Sequence, residues 1–244
     1  MEKSTPESFF NHRIKIRQPE TGYRFSMDPL ILAAHIMPGP GDKILDIGCG
    51  CGIMPLILGL RHRDVRIVGI EIQEELAGFA RRNMEENKLK ERVRVLHRDL
   101  SLLDLEEIQG PSDWIISNPP FKKKDTGRLN PDPQKALARH EIKLDLDSLF
   151  SNGKRLLKPR GIITIIFPAQ RVADIFSAMA GHGFQPDWLR FIHIRRTEPA
   201  KLVLASGIKN GNGPCIVRPP FIINHESGSP TQEYSLIFSG KDEV

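Results

Sequence analysis

Cysteine is scarce in this chain of 244 residues, and the few present cannot build a disulfide framework. Cys49 and Cys51 stand one residue apart, too close to bridge readily, and Cys215 is the third, so free thiols are expected. Metal-ligand spacing is lacking as well. The eight histidines form no His-x-x-x-His pair, and zinc sites usually need well-spaced ligands, so no metal centre is expected. Long apolar runs are missing too: those at 30–34 and 162–167 fall far short of the roughly 20 residues a membrane-spanning helix needs. The start, Met1-Glu2-Lys3-Ser4-Thr5-Pro6, shows no apolar run behind a basic head, which leaves no visible secretory signal and makes the expected address cytoplasmic. No internal repeat, heptad run or low-complexity tract occurs. What remains is an ordinary globular composition, 39% hydrophobic and 27% charged, in a length that suits one sizeable domain. Lys and Arg number 35 against 30 acidic residues, and the net charge of +5 is a mild bias toward polyanions.

A basic stretch (Arg13, Lys15, Arg17, Arg24) leads into a short expected helix at 29–36, stopped by Pro38-Gly39-Pro40-Gly41. Beyond it, short apolar runs alternate with amphipathic ones, the pattern of a layered α/β domain. Strands are expected at 43–47, 66–71, 92–97, 114–117 and 162–167, and helices at 74–87, 147–157 and 171–180. In the first of these helices Leu76, Phe79, Ala80 and Met84 fall near one face, with Glu75, Arg81, Arg82, Glu85 and Glu86 elsewhere. Residues 188–194 and 201–206 read as two further, neighbouring strands. From Lys209 the chain is rich in Gly, Asn and Pro, with 221–223 and 234–238 expected as a terminal hairpin.

The sharpest feature is Leu45-Asp46-Ile47-Gly48-Cys49-Gly50-Cys51-Gly52, a strand running into three alternate glycines and then an apolar helix. Glycine permits positive φ and close approach of a ligand to the backbone, so such a loop belongs against a cofactor at the carboxyl end of the first strand. A dinucleotide site prefers Gly-x-Gly-x-x-Gly; here Gly52 comes one residue sooner and an acid precedes the loop. Asp46 suits a cofactor with an amino-acid end, because its carboxylate attracts an ammonium directly or through water. Glu71 closes the second strand, where a carboxylate accepts from both ribose hydroxyls. Asp99, two residues past the third strand, is placed to accept from an adenine amine. The three acids at successive strand ends describe S-adenosylmethionine; the competing reading is that Asp46 and Asp99 cap helices while Glu71 is solvated.

The residues Asp46, Gly48, Gly50, Gly52, Glu71 and Asp99 resemble the class I S-adenosylmethionine-dependent methyltransferases over roughly 41–206. That resemblance implies a Rossmann-like α/β fold: a seven-stranded sheet, the last strand antiparallel, with helices on both faces and the cofactor across the strand ends.

After the fourth strand comes Asn118-Pro119-Pro120-Phe121, which narrows the methyl acceptor to a nitrogen on a planar conjugated group. Such a nitrogen is a poor nucleophile because its lone pair is delocalised, so it must be held and polarised. The side-chain oxygen of Asn118 and the carbonyl of Pro119 can accept both amine protons. The prolines stiffen the loop and remove competing donors, and Phe121 offers a face for a base to stack on. The competing reading is a proline-stiffened turn. Lys122-Lys123-Lys124 follows at once and would attract phosphates flanking a target base, or is simply a solvated loop. Arg139-His140-Glu141 reads either as a proton relay or as support for the loop beside the motif.

The motif resembles that of amino-methyltransferases acting on adenine N6 or on protein glutamine. Glutamine enzymes more often carry Tyr at the position of Phe121 and a separate domain ahead of the glycine loop, whereas 45 residues precede Asp46 here. A closer resemblance is to the bacterial family that methylates N6 of adenosine 37 in valine tRNA. It is carried by Gly22-Tyr23-Arg24-Phe25-Ser26-Met27-Asp28 with Leu30-Ile31-Leu32-Ala33, by Asn118 to Phe121, by Ala138-Arg139-His140-Glu141, and by 201–209 with Gly211 and Gly213. It implies that Phe25 and Asp28 close the cofactor pocket, that Asn118 borders the cofactor as well as the acceptor, and that tRNA is the partner, with no membrane and no obligate protein partner. It also implies one domain made of a cofactor-capping segment at 1–40, a catalytic core at 41–209 and an extension at 210–244. The extension matches only loosely, and Arg195-Arg196 finds no place in it. A glutamine methyltransferase, or a catalytically silent RNA-binding module of the same fold, is the alternative.

Overall fold

A computed structural model describes residues 4–9, 13–20, 24–120 and 145–239. Its first elements were not foreseen: β1 (Ser4–Phe9) and β2 (Ile14–Pro19) form an antiparallel hairpin in which Ser4 faces Pro19. Alternation at Ile14, Lys15 and Ile16, with both isoleucines buried and the lysine exposed, is the sequence signal for β2. Helix α1 (Asp28–Ala34) starts with Pro29 in its first turn, where a missing N–H costs nothing.

Next come β3 (Lys43–Ile47), α2 (Ile53–Arg61), β4 (Arg66–Glu71), α3 (Glu74–Glu86), β5 (Val93–His97) and β6 (Ser112–Ser117). After them lie α4 (Leu146–Leu156), β7 (Leu157–Pro168), α5 (Val172–Gly181), β8 (Phe184–His193) and β9 (Leu202–Lys209). The main sheet runs β5-β4-β3-β6-β7-β9-β8, parallel except for β9, which is antiparallel to both neighbours. These are the seven strands and the antiparallel member that the resemblance implied. Two short strands extend the count, β10 (Ile216–Val217) and β11 (Phe221–Ile222), both parallel to β8 on its outer edge.

Strands covered on both faces read as apolar runs, and alternate residues sort to opposite sides. Ile44, Ile67, Trp114 and Ile116 face a core shared with α1, α2 and α3, while Leu45, Val68, Ile115 and Ile163 face another built on Leu149, Phe150, Ile175 and Met179 of α4 and α5. The strand order reverses between β3 and β6, and the crevice outside the carboxyl ends there is where doubly wound sheets bind ligands.

The expected terminal hairpin is not what forms. Phe221–Ile222 joins β8, and Gln232–Ser239 is a helix, α6. The spacing explains it: Tyr234, Ile237 and Phe238 lie at helical intervals and pack one face inward, with the Tyr234 ring 6.3 Å from Phe221 and 5.1 Å from Phe238. Among the described residues no helix is long and apolar enough to cross a membrane.

A buried polar chain ties the middle of the sheet. Thr164 Oγ1 accepts from the Trp114 indole at 3.0 Å and donates to Ser206 Oγ at 3.3 Å, linking β6, β7 and β9. Thr164→Val keeps the shape but strands both partners, so it should cost about 2 kcal/mol. Urea unfolding reads this as a lower midpoint with an unchanged slope.

Candidate active site

The loop after β3 holds Gly48, Gly50 and Gly52 at φ of 75°, 55° and 86°, a region that residues with a side chain seldom occupy. At Gly52 space is tight as well, since a Cβ would lie 2.9 Å from Met84 Cε and 3.2 Å from Ala80 Cβ, so the neighbours would have to shift. The loop is strapped to the end of β4. Gly48 and Cys49 both donate to the Ile70 carbonyl, at 2.8 and 3.0 Å, and Gly50 N donates to Glu71 Oε2 at 2.8 Å.

Asp46 precedes this loop at 0% exposure, and among the described residues neither carboxylate oxygen has a hydrogen-bond partner. Burial pushes its pKa well above the ordinary carboxylate range, and the nearby charge of Glu71 pushes it further. The helix-capping reading therefore fails for Asp46. Glu71 is 5% exposed, and its pKa is raised by burial against the opposing pull of backbone N–H groups. Its Oε1 accepts from Gln73 N at 2.9 Å and its Oε2 from Gly50 N, so each oxygen keeps a lone pair for another donor. It is not a solvated side chain. Asp99 behaves differently: it is exposed, and its Oδ1 accepts from Ser101 N at 2.8 Å and Ser101 Oγ at 2.7 Å at the start of a single helical turn, Leu100–Leu102. For Asp99 the capping role is real, and Oδ2 takes no bond from the described residues.

The end of β6 meets the glycine loop. Ser117 Oγ donates to the Ile47 carbonyl at 2.7 Å, which sets Asn118 beside Gly48. Phe25, Pro29, Gly48, Cys49, Cys51, Ile53, Met54 and Asn118 line one small cleft. Among the described residues Asn118 Oδ1 is buried with no partner, Pro119 is buried and Pro120 is exposed. Of the other expected residues, Asp28 is half-buried in the first turn of α1, with its pKa raised by burial, and stands next to Pro29 of the lining. Gly22, Tyr23, Phe121, Lys122, Lys123, Lys124, and the stretch 138–141 with Arg139, His140 and Glu141, lie outside the described residues. Cys49 and Cys51 form a wall of neutral thiol, the latter pushed up to about 12 mainly by burial.

The free acceptors test the fit of S-adenosylmethionine. Asp46 offers two buried oxygens and Glu71 a lone pair on each of two, flanking a loop shaped for close approach. An occupant that brings an ammonium, a positive sulfur and ribose hydroxyls satisfies them; a pyrophosphate would meet two buried acids. The residues present fit.

Asn83 of α3 is a further site residue that sequence reasoning missed. Fully buried, it accepts from Arg17 N at 2.8 Å, donates to Arg17 O at 3.0 Å, and donates to Cys51 O in the glycine loop at 2.8 Å. One turn on, Asn87 repeats the first pair with Lys15 N at 3.0 Å and Lys15 O at 2.6 Å. Two carboxamides thus stand in for the missing neighbour of β2, and Gln18 Oε1, accepting from Phe25 N at 3.2 Å, carries that placement to the cleft wall. The signal was Asn at two successive positions in phase with Leu76, Phe79 and Ala80, where core residues belong.

Comparison with known proteins adds three findings. The methyltransferase small domain family matches residues 29–179. Two Porphyromonas gingivalis proteins named tRNA1(Val) (adenine(37)-N6)-methyltransferase are similar to this chain. The one from strain W83 is 37% identical over 177 residues, 70% of this chain and 69% of that protein. The one from strain ATCC 33277 is 34% identical over 169 residues, 67% of this chain and 66% of that protein. Among solved structures, one described as a predicted O-methyltransferase from Agrobacterium tumefaciens superposes with a TM-score of 0.68 over 88% of this chain and 96% of that one. At 24% identity it shows the fold alone.

Because the folded state keeps a proton on Asp46 that the unfolded chain gives up above about pH 4, ligand-free stability falls as pH rises through that window. Asp46→Asn should remove this loss, so unfolding at about pH 5 and about pH 8 should show a variant advantage that grows with pH. The same variant should bind S-adenosylmethionine at least about tenfold more weakly by calorimetry. Parallel pH profiles would contradict the assignment.

Proposed function

Since the chain belongs to the methyltransferase small domain family and takes S-adenosylmethionine as its cofactor, we propose that it methylates N6 of an adenine in RNA, adenosine 37 of a valine tRNA anticodon loop. The names of the Porphyromonas proteins support that substrate, and a tRNA substrate agrees with a cytoplasmic address. The observation that carries the reading is the buried Asn118 Oδ1, without a partner among the described residues and set in the same cleft as Gly48.

When bound, the cofactor supplies a methyl carbon made electrophilic by its positive sulfur. Asp46 receives the ammonium, Glu71 the ribose hydroxyls, and Asp99 the adenine amine through Oδ2. Phe25 closes the wall, with Asp28 at its edge. Asn118 Oδ1 and the Pro119 carbonyl accept the two protons of the target amine, which draws the nitrogen lone pair out of conjugation and aims it. Neither residue is a strong base. Positioning carries the rate, and the proton lost on methylation leaves to water. Phe121 stacks the extruded base, and Lys122, Lys123 and Lys124 contact flanking phosphates. An adenine in a loop is already partly unstacked, which lowers the cost of extrusion. Segments 1–40, 41–209 and 210–244 act as one domain, the first capping the cofactor.

The test is transfer of radiolabelled methyl from the cofactor in a mixture of unmodified tRNA and cell protein. Label should appear in RNA and elute, after digestion to nucleosides, as N6-methyladenosine; label in a protein band, as a glutamine enzyme would give, contradicts the reading. A silent RNA-binding module would give no label at all. Asn118→Ala should lower kcat by about a hundredfold or more while cofactor Kd stays within about threefold. Equal losses in both would remove Asn118 from its assigned role.

A further inference from the structure

The strand register builds a wall beside the cleft. Ser117, at the end of β6, pairs with Ile165 of β7, yet β7 continues to Pro168, which pairs with Leu202 of β9, and Leu202 pairs in turn with Ile192 of β8. Asn118 follows Ser117 and so stands level with Ile166; at about 3.3 Å per residue, the end of β7 and the start of β9 rise about 7 Å above that floor and the end of β8, at His193, about 10 Å. Strands stand about 4.8 Å apart, so the start of β9 lies about 10 Å to the side. An extruded base that reaches the floor leaves its sugar-phosphate chain against this wall.

The top of the wall is the turn 194–201, which carries Arg195, Arg196 and Lys201. It is pinned from several sides. The His193 ring nitrogen Nδ1 donates to the Glu198 carbonyl at 2.8 Å, and Glu198 N donates to the Arg195 carbonyl at 3.1 Å. Arg195 is spent on Glu198 at 2.7 Å. The extension contributes Glu226, which accepts from Thr197 Oγ1 at 3.0 Å, while Ile223 N and Asn224 N donate to the carbonyls of His193 and Ile194 at 3.0 and 2.9 Å. Arg196 and Lys201 are exposed and, among the described residues, make no ion pair. Two unpaired cations on a turn held this firmly lose little freedom when they meet a phosphate.

We propose that Arg196 and Lys201 form an RNA-phosphate contact on the rim above Asn118, and that the 221–229 part of the extension serves to hold their turn. This rests on the RNA reading above and adds to it a contact on the β8–β9 side of the cleft, with phosphates a few nucleotides from the target base. By contrast Lys158 pairs with Asp113 at 2.7 Å at the amino ends of the strands, the opposite edge of the sheet, and serves as a control.

Binding of an unmodified valine tRNA transcript to the full chain is measured by fluorescence anisotropy across a salt series, with steady-state methylation alongside. The double variant Arg196→Ala, Lys201→Ala should flatten the slope of log K against log salt by about 1.5 and raise the KM for tRNA about tenfold, with kcat within about twofold. Cofactor Kd should not change, and Lys158→Ala should match the parent. An unaltered slope in the double variant, with the parent active on tRNA, overturns the rim contact and leaves the proposed function standing. An equal effect from Lys158→Ala overturns it too, since binding would then be spread over the surface. A parent that methylates no tRNA overturns the proposed function and the rim contact together.

Discussion

Asp46 is a carboxylate that the fold has removed from water without giving it a partner. Such a group is costly in isolation, and its cheapest escape in the free protein is to stay protonated. In the proposed function the cofactor's ammonium is the partner that Asp46 receives. Around that debt the rest is arranged: three left-handed glycines let a ligand reach the backbone, and their amides lean on β4 so that Glu71 is buried with lone pairs to spare.

The same loop fixes the end of β6. Ser117 binds the Ile47 carbonyl, so the end of β6 cannot drift from the end of β3, and Asn118 opens into the cleft that Gly48 lines. The distance between Gly48 and Asn118 is thus set by two neighbouring parallel strands. On the far side, Asn83 ties the glycine loop to β2, and through Gln18 to Phe25, so the amino-terminal hairpin is wired into the cleft wall.

What was legible in the sequence follows from how locally each feature is encoded. Strands 43–47 and 66–71 came out to the residue, because burial on both faces leaves an apolar run with sharp polar ends. Asp46, the glycines and Asn118 were visible as a contiguous pattern. The amino-terminal hairpin was not, because β2 completes its hydrogen bonds on side chains of α3, more than sixty residues on. Asn83 hid for the same reason: its partners, Arg17 and Cys51, are close only in the folded chain. Tyr234 and Phe238 misled because aromatic residues suit strands, and only the Tyr234 ring, against Phe238 four residues on and against Phe221, shows the helical spacing to be the one in use. Arg195-Arg196 had no reading until the register of β7, β8 and β9 raised its turn above the floor.

The proposed methyl transfer requires one cleft to bring the cofactor's reactive end and the Asn118 corner together. A crystal structure of the protein with S-adenosylhomocysteine and adenosine tests this most directly. It should show the amino-acid end against Asp46, the ribose on Glu71, and the adenosine N6 within hydrogen-bond distance of Asn118 Oδ1 on the side facing the sulfur. A sulfur turned away from Asn118, or an adenosine bound elsewhere, would contradict it.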